Sequence, residues 1–418
     1  VAAPRGERRR AAPGTLERGR GPVTAPRQDP LRDPRFFADP YPTYDRLREG
    51  CPVRRIPTGS GGHHAYLITG HPEAREAFTD PRLSKDTARF FADRPSNRDL
   101  HPAISRNMLA SDPPAHTRQR RVATPLFTTG RVRELRPYIT RVVEDLVATW
   151  RPGTEVDLVA ELAVPLPVTV VCELLGVPES DRRELARWSH QLFDATDSDR
   201  VDTASHRIGA YLTHLVDTAR AGSGDGALLS FLGDCDEGRL DRDETISLAA
   251  LLLVAGHETT THFIGNAVLA LLRHPEAFAR LCRDPDLIPG ALDELLRFDS
   301  PVSVATFRHS TEDLRVGGVD IPAGFPVLIA PGAANRDPAV FPDPHRLDLD
   351  RDAGGHLAFG HGIHRCPGAP LARAEAEIFL RTLVTRFPNT RPAIPVESLT
   401  WRRTRLTRGP AALPLALG

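Results

Sequence analysis

The chain has 418 residues, 40% of them apolar, and its 54 basic and 54 acidic side chains cancel to a formal net charge of zero. That is enough apolar material for a sizeable core, and the charge balance excludes the strongly basic surface of a nucleic-acid binder. Five cysteines (Cys51, Cys172, Cys235, Cys282 and Cys366), odd in number and without a Cys-x-x-Cys pair, exclude a disulfide framework or zinc ribbon and fit a reducing cytoplasm.

Residues 1–32 are rich in Arg, Pro, Gly and Ala and hold no apolar run that could act as a signal segment, so they read as a disordered arm. Residues 33–418 read as one catalytic domain. Residues 43–49 carry a short helical pattern and 65–69 alternate like a strand. A polar, Pro-containing loop spans 84–114 and includes Lys85, the only lysine in the chain. Helical periodicity returns over 116–127, 132–150 and 164–175, each bounded by Pro, Gly or Asp. The clearest element is 241–274. Asp241 caps its start, Glu244 completes a capping box, and Pro275 stops it. A helix of that length is on the order of 50 Å long. Residues 248–254 are apolar nearly all round, which places the helix at the centre of the molecule. The most apolar stretch, 246–256, is about half the ~20 residues needed to cross a bilayer, so no membrane span is expected. Further helices follow at 292–298 and 371–387, with strand-like runs at 314–316, 327–330 and the C-terminus. The class is mainly α with a minor β region, built around one long central helix.

Four clusters carry chemistry. The strongest is Phe359-Gly360-His361-Gly362-Ile363-His364-Arg365-Cys366-Pro367-Gly368. A thiolate bound to a metal in a flat cofactor needs a loop whose backbone can come close, hence Gly360, Gly362 and Gly368. It also needs donors around its charge, a helix starting just after it, and a shield such as Phe359. The second is Ala255-Gly256-His257-Glu258-Thr259-Thr260 within the long helix. Small residues at Ala255 and Gly256 leave room for a ligand, a Thr259 hydroxyl can donate to bound dioxygen, and a Glu258 carboxylate can link it to solvent protons. A zinc-protease reading of His257-Glu258 with His262 fails, because histidines at i and i+5 stand about 140° apart around a helix. The third is Glu294-Leu295-Leu296-Arg297, whose charges share a helix face at i, i+3; alone it would be a surface pair worth under ~1 kcal/mol. The fourth is 112–121, where His116 and Arg120 share a face at i, i+4 and can clamp one anion.

The loop at Cys366 resembles the haem-binding loop of the cytochrome P-450 family, and the other three clusters follow that family's order over residues 33–418. The resemblance implies a P-450-type fold with the long helix over a haem, here haem b (iron protoporphyrin IX). It makes Cys366 the iron ligand and Glu258 with Thr259 the oxygen-activating pair. Ala255, Gly256, Phe359, Gly360 and Gly368 would border the cofactor, and His116, Arg120, Arg308 and His364 would donate to its propionates. Glu294, Arg297 and Arg346 would form a buried structural triad. Substrate contacts would come from 85–108, 194–205, 252–259 and 302–306.

The implied activity is that of a cytoplasmic monooxygenase hydroxylating or epoxidising an organic substrate with dioxygen, as a tailoring step in secondary-metabolite (antibiotic) biosynthesis. Over residues 33–418 the chain resembles actinobacterial members that tailor macrolides and other secondary metabolites. Ferredoxin and its reductase would supply electrons, with Arg118, Arg121, Arg365 and Arg373 as the docking patch; no nucleic acid or membrane partner is implied. The competing classes are a haem-thiolate enzyme that performs oxidative coupling or uses peroxide, and an inactive recruitment module.

Overall fold

The structure, a computed structural model, describes residues 29–58, 63–92, 98–193, 197–221 and 240–418. The expected disordered arm lies outside the described residues up to position 28. Its last part is different: Pro30–Arg32 forms a turn of 3-10 helix capped by Asp29. Leu31 there is 0% exposed, packed beside Phe36 and Tyr44. The packed unit therefore begins a few residues before the expected boundary at Asp33.

Helices of eight or more residues are α1 (Tyr41–Arg48), α2 (His71–Thr79), α3 (Ala115–Ala123), α4 (Thr129–Leu146), α5 (Pro165–Leu175), α6 (Glu179–Gln191), α7 (Ser198–Arg220), α8 (Arg242–Arg273), α9 (Pro275–Arg283), α10 (Ile288–Phe298) and α11 (Ala369–Arg386). The capping box of α8 is present in both directions: Asp241 accepts from the Glu244 N–H, and Glu244 accepts from the Asp241 N–H. In the apolar stretch 248–254, Leu251 and Val254 are only partly buried and Leu251 lines a cavity, whereas from Phe263 to Leu271 α8 is buried on every side. α4 stops at Leu146, short of the expected Trp150. Trp150 leaves the helix to pack on Phe379 of α11 and on Phe387, the residue that caps its end. Helices α6 and α7 were not anticipated, because polar residues dominate them. Yet α7 buries Val201, Ala204, Ile208, Leu212 and Val216, a stripe at helical spacing.

The β region is small. Strands β1 (Val53–Thr58), β2 (His63–Ile68), β3 (Leu83–Ser84), β5 (Arg308–Ser310) and β8 (Pro326–Ile329) form one sheet in the order β1-β2-β8-β5-β3. The β2–β8 pair is parallel and the others are antiparallel. β4 (Glu155–Asp157), β9 (Arg391–Pro392) and β10 (Pro414–Ala416) form a second sheet, and β6 (Leu314–Val316) pairs with β7 (Val319–Ile321). Among the described residues no single helix is long and apolar enough to cross a membrane.

The expected structural triad needs one correction. Glu294 and Arg297 on α10 are fully buried and joined at 2.6 and 2.8 Å. The third side chain is Arg351, not Arg346: Arg351 Nε donates to Glu294 Oε1 at 3.3 Å and its side chain is 11% exposed. Arg346 offers this cluster only its carbonyl, which accepts from Arg297 at 3.3 Å. With its backbone turned inward, its side chain points out to Asp348 and is 65% exposed.

Candidate active site

A cavity of about 270 Å³ lies between the middle of α8 and the loop that leads into α11. Gly360 and Gly362 in that loop have φ of 71° and 73°, the left-handed region where glycine carries no steric penalty. A side chain at Gly362 would also meet the Phe78 carbonyl oxygen at 2.9 Å. Gly368 is ordinary by comparison, with φ of −79° at the N-cap of α11. The loop returns on itself where the Cys366 N–H donates to the Phe359 carbonyl at 2.8 Å. Cys366 lines the cavity. Burial pushes its thiol up, opposed by the N–H groups of Gly368 and Ala369 and by Arg120 and Arg365. A sulfur so placed ionises fully only against a further positive charge, and the cavity is where that charge can sit.

One wall of the cavity is cationic. α3 supplies His116 and Arg120, β5 supplies Arg308, and the loop supplies His364. Lys85, which the sequence reading assigned only to the start of a substrate loop, belongs to the same wall. The His116 and His364 rings lie 4.1 Å apart, and the Nε2 atom of each is buried without a hydrogen-bond partner. Burial, reinforced by Lys85 and His116, pushes His364 down to about 2. Burial and Arg120 also lower His116, so both imidazoles are neutral near pH 7. Burial brings Arg308 down to about 10 and also lowers Arg120. Arg308 retains its charge and lies over the Phe78 ring at 5.0 Å. Among the described residues, no carboxylate forms an ion pair with any of these five.

α8 forms the opposite wall. Leu252, Ala255, Gly256, Thr259 and Phe263 face the cavity. A side chain on Gly256 would meet Val171 of α5 at 3.3 Å, so the helices approach closely there. The Thr259 hydroxyl donates to the Ala255 carbonyl at 3.2 Å. Glu258 does not line the cavity. It stands a further 100° around the helix, with His262 Nε2 and Arg402 Nη2 each 3.3 Å away and His190 Nδ1 at 3.7 Å. Burial raises its carboxyl, but the His190 and His262 contacts outweigh that and hold it well below the usual range. His190 is 50% exposed where Glu258 is 2% exposed, so the half-exposed imidazole stands between the buried carboxylate and solvent. Among the described residues no three His, Cys, Asp or Glu side chains are grouped to hold a metal ion.

The expected substrate regions are met unevenly. Lys85, Met108, Leu252 to Thr259 and Val302 to Thr306 contribute lining residues. The stretch 194–205 contributes none among its described positions, and residues 194–196 lie outside them. Phe78, Pro167 and Val171 were missed. Glu375 of α11 was also missed: it lines the cavity, its Oε2 has no partner, and burial pushes its carboxyl up to about 8. The expected docking arginines are only half available. Arg118 pairs with Glu244, and Arg373 with Asp293; Arg121 and Arg365 remain exposed.

Comparison with known proteins agrees with this arrangement. The family profile "Cytochrome P450" matches residues 214–393. The chain is 44% identical to cytochrome P450 107B1 of Saccharopolyspora erythraea, over 92% of this chain and 97% of that one. It is 43% identical to the cytochrome P450 monooxygenase PikC of Streptomyces venezuelae, covering 91% of each. The structure of the tirandamycin C-bound P450 monooxygenase TamI superposes with a TM-score of 0.85 at 41% identity, covering 92% of this chain and 99% of that one. The chain belongs to the cytochrome P450 family and is an oxidoreductase of the monooxygenase class. The family's prosthetic group is haem iron, and its bacterial members take small organic substrates, dioxygen and electrons from a redox partner. The residues present fit that group. A planar ring with two carboxylates on one edge matches a wall of two arginines and two neutral imidazoles with orphaned nitrogens, and a cysteine sulfur lies in the same cavity.

Proposed function

We propose that this P450 hydroxylates or epoxidises a medium to large organic molecule as a tailoring step in secondary-metabolite biosynthesis. Haem b would be held by Cys366 at the iron and by His116, Arg120, Arg308 and His364 at the propionates. The observation that carries the site assignment is the convergence, in one cavity, of Cys366 with buried His116 and His364 nitrogens that have no partner among the described residues. When bound, the haem supplies the redox chemistry by which one oxygen atom of dioxygen enters a substrate bond.

The chain's own residues do the rest. Leu252, Ala255, Gly256 and Val302 form an apolar wall that orients substrate and excludes water. The Thr259 hydroxyl, released from the Ala255 carbonyl, donates a hydrogen bond into the cavity. Glu258, with the half-exposed His190 between it and solvent, holds the carboxylate through which a proton reaches that hydroxyl. Ferredoxin with its reductase is the proposed electron source, and the cytoplasm the proposed compartment. The docking patch contracts to Arg121 and Arg365, because Arg118 and Arg373 are already paired.

The assignment is tested by the absorption of the reduced carbon monoxide complex. Wild-type chain gives the thiolate signature and Cys366→Ser loses it; retention in that variant overturns the ligand assignment. Thr259→Ala binds substrate with unchanged affinity but diverts most reducing equivalents to hydrogen peroxide. Fully coupled product formation in that variant removes Thr259 from the mechanism.

A further inference from the structure

Every basic position in the chain is arginine except one, and that lysine lies inside the molecule. Lys85 is 2% exposed and lines the cavity. Its Nζ donates to the hydroxyl of Thr306, which lines the same wall. The neighbouring carboxylate, Asp112, is engaged elsewhere: it accepts from the Lys85 backbone N–H at 3.0 Å and from the Ser84 hydroxyl at 2.5 Å. No ion pair reaches the ammonium among the described residues. Burial and the neighbouring Arg308 both disfavour its charged form. A buried ammonium with one neutral partner is unfavourable unless an anion arrives to share it.

The remaining donors of that wall already match the haem. Arg120 and Arg308 balance two propionate charges, and the orphaned Nε2 atoms of His116 and His364 supply neutral donors. Lys85 exceeds that requirement. Its Thr306 partner lines the cavity together with Val302 and Ala305. An ammonium has three N–H donors, and Thr306 takes one.

We propose that Lys85 and Thr306 form a carboxylate-binding subsite in the cavity wall, which anchors an organic acid by its carboxylate while its apolar part lies along α8. This rests on the haem-monooxygenase reading and gives its substrate class. A haem propionate is the same chemistry from a second source, and the experiment separates the two. Holoenzyme of wild type, Lys85→Met, Lys85→Arg and Thr306→Val is titrated with dodecanoic acid and with its methyl ester, reading the spin-state change in absorption. In parallel, haem loss to apomyoglobin is timed for each protein reconstituted with natural haem or with its dimethyl ester.

The expected result is acid binding weakened at least tenfold in Lys85→Met, less in Thr306→Val, and largely kept in Lys85→Arg, with ester binding unchanged in all. Haem loss quickened at least tenfold in Lys85→Met for natural haem but not for the dimethyl ester, with acid binding unchanged, assigns the ammonium to a propionate and overturns the organic-acid anchor. Equal weakening of acid and ester, or no change in either assay, overturns it. The reduced carbon monoxide spectrum of the same samples reports separately on the haem reading, so the two failures cannot be confused.

Discussion

Two of the buried arginines, Arg297 and Arg308, are treated in opposite ways. At the Glu294–Arg297 cluster on α10, Arg297 donates to both carboxylate oxygens of Glu294 and to the carbonyls of Asn335, Pro344 and Arg346. Its electrostatics are closed within the chain. In the cavity wall, Arg308 is equally buried but has only the face of Phe78 against it, beside two imidazole nitrogens with nothing to bond. Folding tolerates a buried charge when the surroundings satisfy it. A buried charge left open therefore implies that satisfaction comes from outside the chain. The first cluster is architecture; the second is a receptor.

The contrast predicts a graded set of outcomes. Arg297→Leu strands Glu294 in the core and destabilises by about 3–5 kcal/mol, a large part of a typical total of about 5–15 kcal/mol. Urea unfolding of the variant, or its failure to accumulate, measures this, and a loss below 1 kcal/mol would break the comparison at its closed end. Arg308→Met does the reverse. It leaves the haem-free chain as stable as before or more so, while haem affinity falls by about 1.5–3 kcal/mol, the worth of a charged hydrogen bond. Haem transfer to apomyoglobin reads the second quantity and urea unfolding of the apoprotein the first.

Glu375 offers a pH test of the open site. Its folded carboxyl is raised to about 8, so between the unfolded value near 4.3 and about 8 the native state holds a proton that the unfolded state has lost. Wild-type stability therefore falls across that window relative to Glu375→Gln, by at most about 1.4 kcal/mol per pH unit, and the gap is constant above it. Parallel melting curves from pH 5 to 9 check the sign. Smallest of all, Arg346→Ala costs under ~1 kcal/mol, as for an exposed pair, whereas Arg351→Ala costs more because it uncovers Glu294. Equal costs would restore Arg346 to the cluster.

Much of this was legible from residue spacing. The bounds of α8 follow from Asp241, Glu244 and Pro275, because caps and proline act through neighbouring backbone. The cavity set was legible in part: Cys366, Thr259, His116 and Arg120 stand in motifs with readable spacing, whereas His364 and Arg308 were reached only through the resemblance to the P-450 family; all six line it. What stayed hidden depended on side-chain direction in irregular backbone. Arg346 and Arg351 lie in one loop, and only the turn between them decides which guanidinium returns to Glu294. Lys85 lacked a helical or strand period that would give it a face, although its uniqueness in composition was a usable sign. Helices α6 and α7 were overlooked because their polar residues outnumber a stripe that is nevertheless periodic.

Neighbours in sequence, Glu258 and Thr259 face different surroundings, so α8 acts as a partition between an apolar room, which Thr259 lines, and a charged corridor of Glu258, His190, His262 and Arg402. What fits in the room is set by the small and apolar side chains on one stripe, and traffic in the corridor by charges on another. Selection can then refurnish the first without disturbing the second. A lineage of such enzymes can exchange one guest molecule for another while the charged cluster around Glu258 stays unchanged.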